Sequence, residues 1–252
     1  RLTKSHVAPR SNKPRWRPDN PGAMWHSDIK GPFRVKSIRG YYYWITFIDD
    51  YSGFTFLYFL RFKSDALVCG LKRFVAEVLV PYGIQSCILV HDPGGEYDAT
   101  AFQTYCYANG ITPEPTPSKN PHYNGVAENK NKTLAAGLRS TRCYAKLPPY
   151  LWCCIAETVN DMLNISPKAS ANYTTAFYRW HGVHPSVNKL HVIGAECYLH
   201  DPLYSSSSQR NPSDIVRFLG YIHHSHSTYR LWRPSTGKLL ESNHVTCITT
   251  PL

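Results

Sequence analysis

The chain has 252 residues, enough for one full domain and a smaller one at the usual ~100 to 200 residues per domain. With 42% hydrophobic and 13% aromatic residues against 18% charged, its composition is globular and excludes a disordered polar tract. Lysine and arginine outnumber aspartate and glutamate by 28 to 17, and the resulting net charge of +11 favours a polyanionic partner such as nucleic acid. No apolar run reaches the ~18 residues needed to span a membrane, so no membrane role is expected. Eight cysteines without a single CxxC pair read as reduced thiols of an intracellular protein.

Residues 1–20 form a basic arm or linker, with Arg1, Lys4, Arg10, Lys13, Arg15 and Arg17 and no acid among the first 17. MWHSDIKGPF follows as a short strand on which Met24, His26 and Asp28 share one side. YYYWITFIDD and FTFLYFL are aromatic-rich strands joined through Asp50-Tyr51-Ser52-Gly53, a tight antiparallel hairpin. Leu67, Leu71, Phe74, Val75 and Val78 then recur at helical intervals over 64–79. Cys87 to Val90 is a buried strand that delivers Asp92 to its tip before Pro93-Gly94-Gly95. A helix over 100–109, a strand over 111–114 and a Pro-rich loop to residue 125 lead into a long helix. A further helical pair is expected through about Tyr178. After residue 190 come CYLH, VRFLGYI, YRLWRP and HVTCI, short alternating strands of a small barrel. The expected fold is α/β, a mixed sheet flanked by helices over 21–190, followed by a small all-β domain over 191–252.

Three separate elements each contribute a carboxylate: Asp28 from the first strand, Asp92 from the tip of the fourth, Glu128 from the long helix. Each alone is compatible with turn or packing chemistry, as are Asp49 and Asp50, which are assigned to the hairpin turn. Three acids converging on one point repel unless cations lie between them, which makes them candidate ligands for Mg²⁺ or Mn²⁺. Two such ions about 4 Å apart serve phosphodiester chemistry. At about 100° per residue, Asn124, Lys132, Arg139, Arg142 and Lys146 all fall within about 40° of Glu128. That stripe reads as a track for DNA phosphates, and Lys130 of the same basic run is counted with it.

HSDIKGPF, YYYWITFIDDYSGFTFLYFL, HDPGGEYD and PHYNGVAENKNKTL, in this order, resemble the catalytic core of integrases from copia-type LTR retrotransposons. CYLH, FLGYI and YRLWRPSTGKLLESNHV resemble the SH3-like domain that follows that core. The resemblance implies an RNase H-like fold, a triad of Asp28, Asp92 and Glu128 holding two Mg²⁺ or Mn²⁺ ions, and transfer of a DNA 3′-hydroxyl onto a target phosphodiester. It also implies double-stranded DNA (element ends and target) as partner, a homo-oligomer on that DNA, and a nuclear and virus-like-particle location. The sequence departs from the family's Ser-Asp-Asn-Gly-Gly-Glu at His91-Asp92-Pro93-Gly94-Gly95-Glu96, and from Glu-Arg-X-Asn-Arg at Glu128-Asn129-Lys130-Asn131-Lys132. Pro93 lacks an N–H and fixes φ beside a ligand, so a distorted Asp92 is expected. These changes keep two alternatives open: a decayed nucleic-acid-binding remnant, and an RNase H-like nuclease. No zinc domain precedes the core here, so the chain reads as part of a longer polyprotein.

Overall fold

The computed structural model describes residues 17–116, 125–187, 190–200, 213–222 and 225–248. The basic arm up to residue 16 and Asn124 lie outside them. The first sheet has the order β3-β2-β1-β4-β5. Its strands are β1 (Met24–Lys30), β2 (Tyr43–Asp49), β3 (Thr55–Leu60), β4 (Cys87–His91) and β5 (Ile111–Pro115). β1, β2 and β3 form an antiparallel meander, whereas β4 and β5 run parallel to β1 and to each other. This is the mixed sheet read from the sequence.

Alternation along the strands gives the sheet two buried faces. One face presents Trp25, Ile45, Phe47 and Leu89 to a helical stretch over 63–79 (α1), to the short α2 (Gly95–Asp98) and to α3 (Thr100–Ala108). There Phe47 stacks on Phe74 at 4.2 Å and Trp25 meets Phe74 edge-on at 4.8 Å. Gly70 makes this fit possible, because a Cβ on it would stand 3.0 Å from Ile45. The other face presents Trp44 and Phe59 to α4 (Gly125–Tyr144) and α5 (Trp152–Ile165), which contribute Leu134, Leu138, Trp152 and Ile155. Each large apolar side chain buried this way contributes roughly 1.5 to 3 kcal/mol. Polar bonds tie α5 to the edge strand: Asn160 and Asn164 donate to the Thr55 carbonyl at 2.9 and 3.0 Å. The assignment of Asp49 to the turn holds, since it accepts from Gly22 N, Ser52 N and Ser52 Oγ.

The expected second helix of the pair after Pro148 begins later. A short hairpin of β6 (Pro167–Lys168) and β7 (Thr174–Thr175) intervenes before α6 (Ala176–His181). No described helix is long and apolar enough to cross a membrane.

The second sheet has the order β11-β10-β9-β8-β12. Its strands are β8 (Glu196–His200), β9 (Ser213–Ile222), β10 (Ser225–Arg233), β11 (Lys238–Ser242) and β12 (Val245–Cys247), all paired antiparallel. Its core holds Cys197, Val216, Phe218 and Leu231. The expectation of reduced thiols fails here: Cys197 and Cys247, opposite each other on β8 and β12, form a disulfide. This sheet packs on α5. Thr158 Oγ1 donates to the Leu219 carbonyl at 2.6 Å, and Glu157 accepts from Arg39 of the core and from Arg230 of β10. At Gly220, with φ +142°, a Cβ would stand 2.0 Å from Thr158 Oγ1, so only glycine fits there.

Candidate active site

The parallel register of β1 and β4 sets the site. Ser27 pairs with His91, so the next residues along, Asp28 within β1 and Asp92 just past the end of β4, stand side by side. They lie about 5 Å apart in backbone terms, on the α4 side of the sheet. Asp28 Oδ2 accepts a hydrogen bond from Asn131 Nδ2 of α4 at 2.8 Å. Asn131 is buried and its Oδ1 accepts from Trp44 Nε1, also at 2.8 Å, which fixes its amide orientation. Asp92 Oδ1 accepts from Thr116 Oγ1 at 2.8 Å, just past the end of β5. Burial holds the Asp28 carboxyl above the ordinary aspartate range. The Asn131 bond pulls it down and the neighbouring charge of Asp92 pushes it up. The two acids are therefore close enough to repel.

Pro93 does not remove Asp92 from this place. The strand keeps its pairing through His91, and the His91 ring donates from Nδ1 to the Asp92 carbonyl at 3.0 Å. That ring stacks on Tyr97 at 4.7 Å, and the Tyr97 hydroxyl lies 2.8 Å from Ser27 Oγ. One tyrosine thus braces the residues that precede both acids.

Glu128 stands apart. Its carboxylate pairs with Lys132, one turn on, at 3.5 Å. Among the described residues no group of three His, Cys, Asp or Glu side chains is gathered closely enough to hold a metal ion. Yet Glu128 lies three residues before Asn131, hence on an adjacent part of the same helix face. Asp28 and Asp92 fit a hard divalent cation: both are oxygen donors, their mutual repulsion would be relieved by positive charge, and each is oriented by a neutral donor.

The basic residues divide. Lys132 and Arg139 are exposed on α4. Arg142 folds back over the helix end, its Nη1 3.5 Å from the Leu147 carbonyl. Lys146 is not helical: α4 stops at Tyr144, and Lys146 takes φ +51°. Lys130 must be corrected outright. It is buried with its Nζ unpartnered, on the α4 face that carries Ala127, Leu134 and Leu138, so it cannot reach a DNA phosphate. Burial, with the charge of Lys168 added, pushes it down to about 7. Sequence reasoning missed Asn131, Thr116 and the His91–Tyr97 brace. Only Asn131 had left a signal, three residues beyond Glu128 in the ENKNK run.

The family model of the integrase core domain matches residues 18–121, a span that includes Asp28 and Asp92 and stops before Glu128. The retrovirus-related Pol polyprotein from transposon TNT 1-94 of Nicotiana tabacum is 33% identical over 220 residues, 87% of this chain and 16% of that polyprotein. This chain carries a copia-type integrase core. The corresponding polyprotein from transposon RE2 of Arabidopsis thaliana is 27% identical over 247 residues, 97% of this chain and again 16% of the relative. The chain spans about one sixth of the length of these relatives. A chain of the simian T-cell lymphotropic virus intasome, in complex with PP2A regulatory subunit B56 gamma, shares the fold at 17% identity, with a TM-score of 0.54 over 94% of this chain and 82% of its own length. The first sheet and its helices are RNase H-like, and the second sheet is compatible with an SH3-like domain.

Proposed function

We propose that this integrase core joins DNA strands in a metal-dependent transfer, with Asp28 and Asp92 as fixed ligands and Glu128 as the third. The observation that carries the reading is the pair of acids side by side, on β1 and just past β4, each held by its own neutral donor. Asn131 aims Asp28, Thr116 aims Asp92, and Glu128 completes the set by leaving its exposed pair with Lys132, which holds it only weakly. Two Mg²⁺ or Mn²⁺ ions bound there would neutralise phosphate charge and acidify the attacking 3′-hydroxyl. The protein's remaining share is positioning and electrostatics. Lys132 and Arg139 on the outer face of α4 would grip the phosphates of element or target DNA, and several copies would assemble on it.

A strand-transfer assay with labelled duplexes and Mg²⁺ or Mn²⁺ tests this. The wild-type chain is expected to give joined products, and Asp92→Asn to lose them by on the order of a hundredfold or more, several kcal/mol of transition-state stabilisation. Equal joining by both proteins would remove Asp92 from the chemistry, whereas cut ends with no joined strands would mark a hydrolase.

A further inference from the structure

Two cations that the proposed reaction does not use lie together at the other end of the sheet. β1 pairs Asp28 with Thr46 but Trp25 with Asp49, so the turn over 50–53 is about 10 Å or more along the strand from Asp28. Two basic side chains reach this turn from different elements. Lys168, on β6, brings Nζ to 3.5 Å from where a Cβ on Gly53 would stand. Arg179, on α6, lays its guanidinium 4.6 Å above the Tyr51 ring. The chain holds the two near each other: Lys168 pairs with Thr174, and Thr175 caps α6 by accepting from Tyr178 N at 2.9 Å. The charge of Arg179 acts on Lys168.

Neither forms an ion pair among the described residues. Two cations held beside one turn repel each other, and an anion between them relieves that repulsion. The mouth of the cluster is open, since Lys168 and Arg179 are only half-buried. Beside it the β6–β7 hairpin turns through Asn172 and Tyr173 at φ 52° and 59°, a left-handed pair that is strained for a tyrosine. Tyr173 is 76% exposed there, a flat ring free to meet a ligand. An open mouth and an exposed ring suit a long polyanion better than a small enclosed one.

We propose that Lys168 and Arg179, with Tyr173 at the rim, bind backbone phosphates of duplex DNA at the end of the sheet remote from Asp28 and Asp92. The choice of DNA as the source of phosphate rests on the proposed function; the anion site itself rests on the cluster. Such a site lets one chain hold a duplex at a second place while the acids engage the reacting strand.

The test is fluorescence anisotropy of the full chain with a labelled duplex in EDTA, titrated with salt. Neutralising two phosphate contacts in Lys168→Gln/Arg179→Gln should make the log–log salt slope shallower by about 2, with weaker binding at low salt. Should the double variant fail the circular dichroism check for folding, Lys168→Gln alone decides, with a change of about 1. An unchanged slope overturns the proposal, as does wild-type binding without salt dependence. Inorganic pyrophosphate provides the second arm: if it raises the Tm of wild type but not of the variant while the DNA slope stays the same, the site serves a small anion and the DNA assignment falls. Because the readout is binding without metal, it stays legible even if no strand transfer is found.

Discussion

Asn131 serves two partners with one amide, accepting from Trp44 in the core and donating to Asp28 at the surface of the site. Its replacement by alanine leaves the Trp44 N–H and an Asp28 oxygen unmatched, a loss of about 1 to 3 kcal/mol. Chemical denaturation of Asn131→Ala should show a lower midpoint and, in the presence of Mg²⁺, a smaller metal-induced stabilisation than wild type. A variant stabilised by Mg²⁺ as much as wild type would make Asn131 a core residue only. The placement of Asp28 on a strand and of Asp92 just past one was legible in the sequence, from alternation along the first and the turn that ends the second. The rotamer of Glu128 was not, since its contact with Lys132 is a torsional choice among exposed groups. Lys130 had lain about 160° from Glu128 around the helix, off the stripe. That angle was the overlooked sign that its face is buried.

At the scale of elements, α4 shows what periodicity can and cannot give. Its buried face, Ala127, Leu134 and Leu138, follows from apolar spacing alone. Its end does not, because the sequence after Tyr144 carries no glycine. The chain nevertheless closes the helix as if one were there: Leu147 N donates to the Arg142 carbonyl at 3.1 Å and Lys146 N to the Cys143 carbonyl at 3.2 Å. That bond pattern requires a left-handed residue, which Lys146 supplies at φ +51°. Lys146→Gly should therefore stabilise the fold by about 1 kcal/mol, read as a raised Tm. A lowered Tm would mean that the lysine side chain contributes more than its backbone strain costs. The β6–β7 hairpin was likewise hidden, because two-residue strands are too short to show alternation.

At the scale of the molecule, the strands of the second sheet were legible from their turns, but their docking on α5 was not. The contacts that fix it, Glu157 with Arg230 and Thr158 with Leu219, join residues with no periodic relation. The Cys197–Cys247 disulfide is hidden for the same reason, spanning 50 residues without a spacing motif. The docking brings a titratable group with it. Burial of the Asp161 carboxyl pushes it up to about 7, with the charge of Glu157 adding to the rise and that of Arg230 opposing it. An acid raised on folding binds its proton more tightly in the native state. Its contribution to stability is full below the unfolded value and declines as pH climbs from about 4 to about 7. Unfolding followed across that range should show the decline in wild type and a flatter profile in Asp161→Asn, with the variant the more stable at pH about 8. Parallel profiles would place the pH dependence elsewhere.

The account turns on Asp28, Asp92 and Glu128 closing around a divalent cation, and Mn²⁺ titration followed by electron paramagnetic resonance measures that directly. Wild type should take up Mn²⁺, and Asp92→Asn and Glu128→Gln should each bind it at least about tenfold more weakly, as the loss of a charged ligand requires. Identical uptake by all three proteins would contradict it.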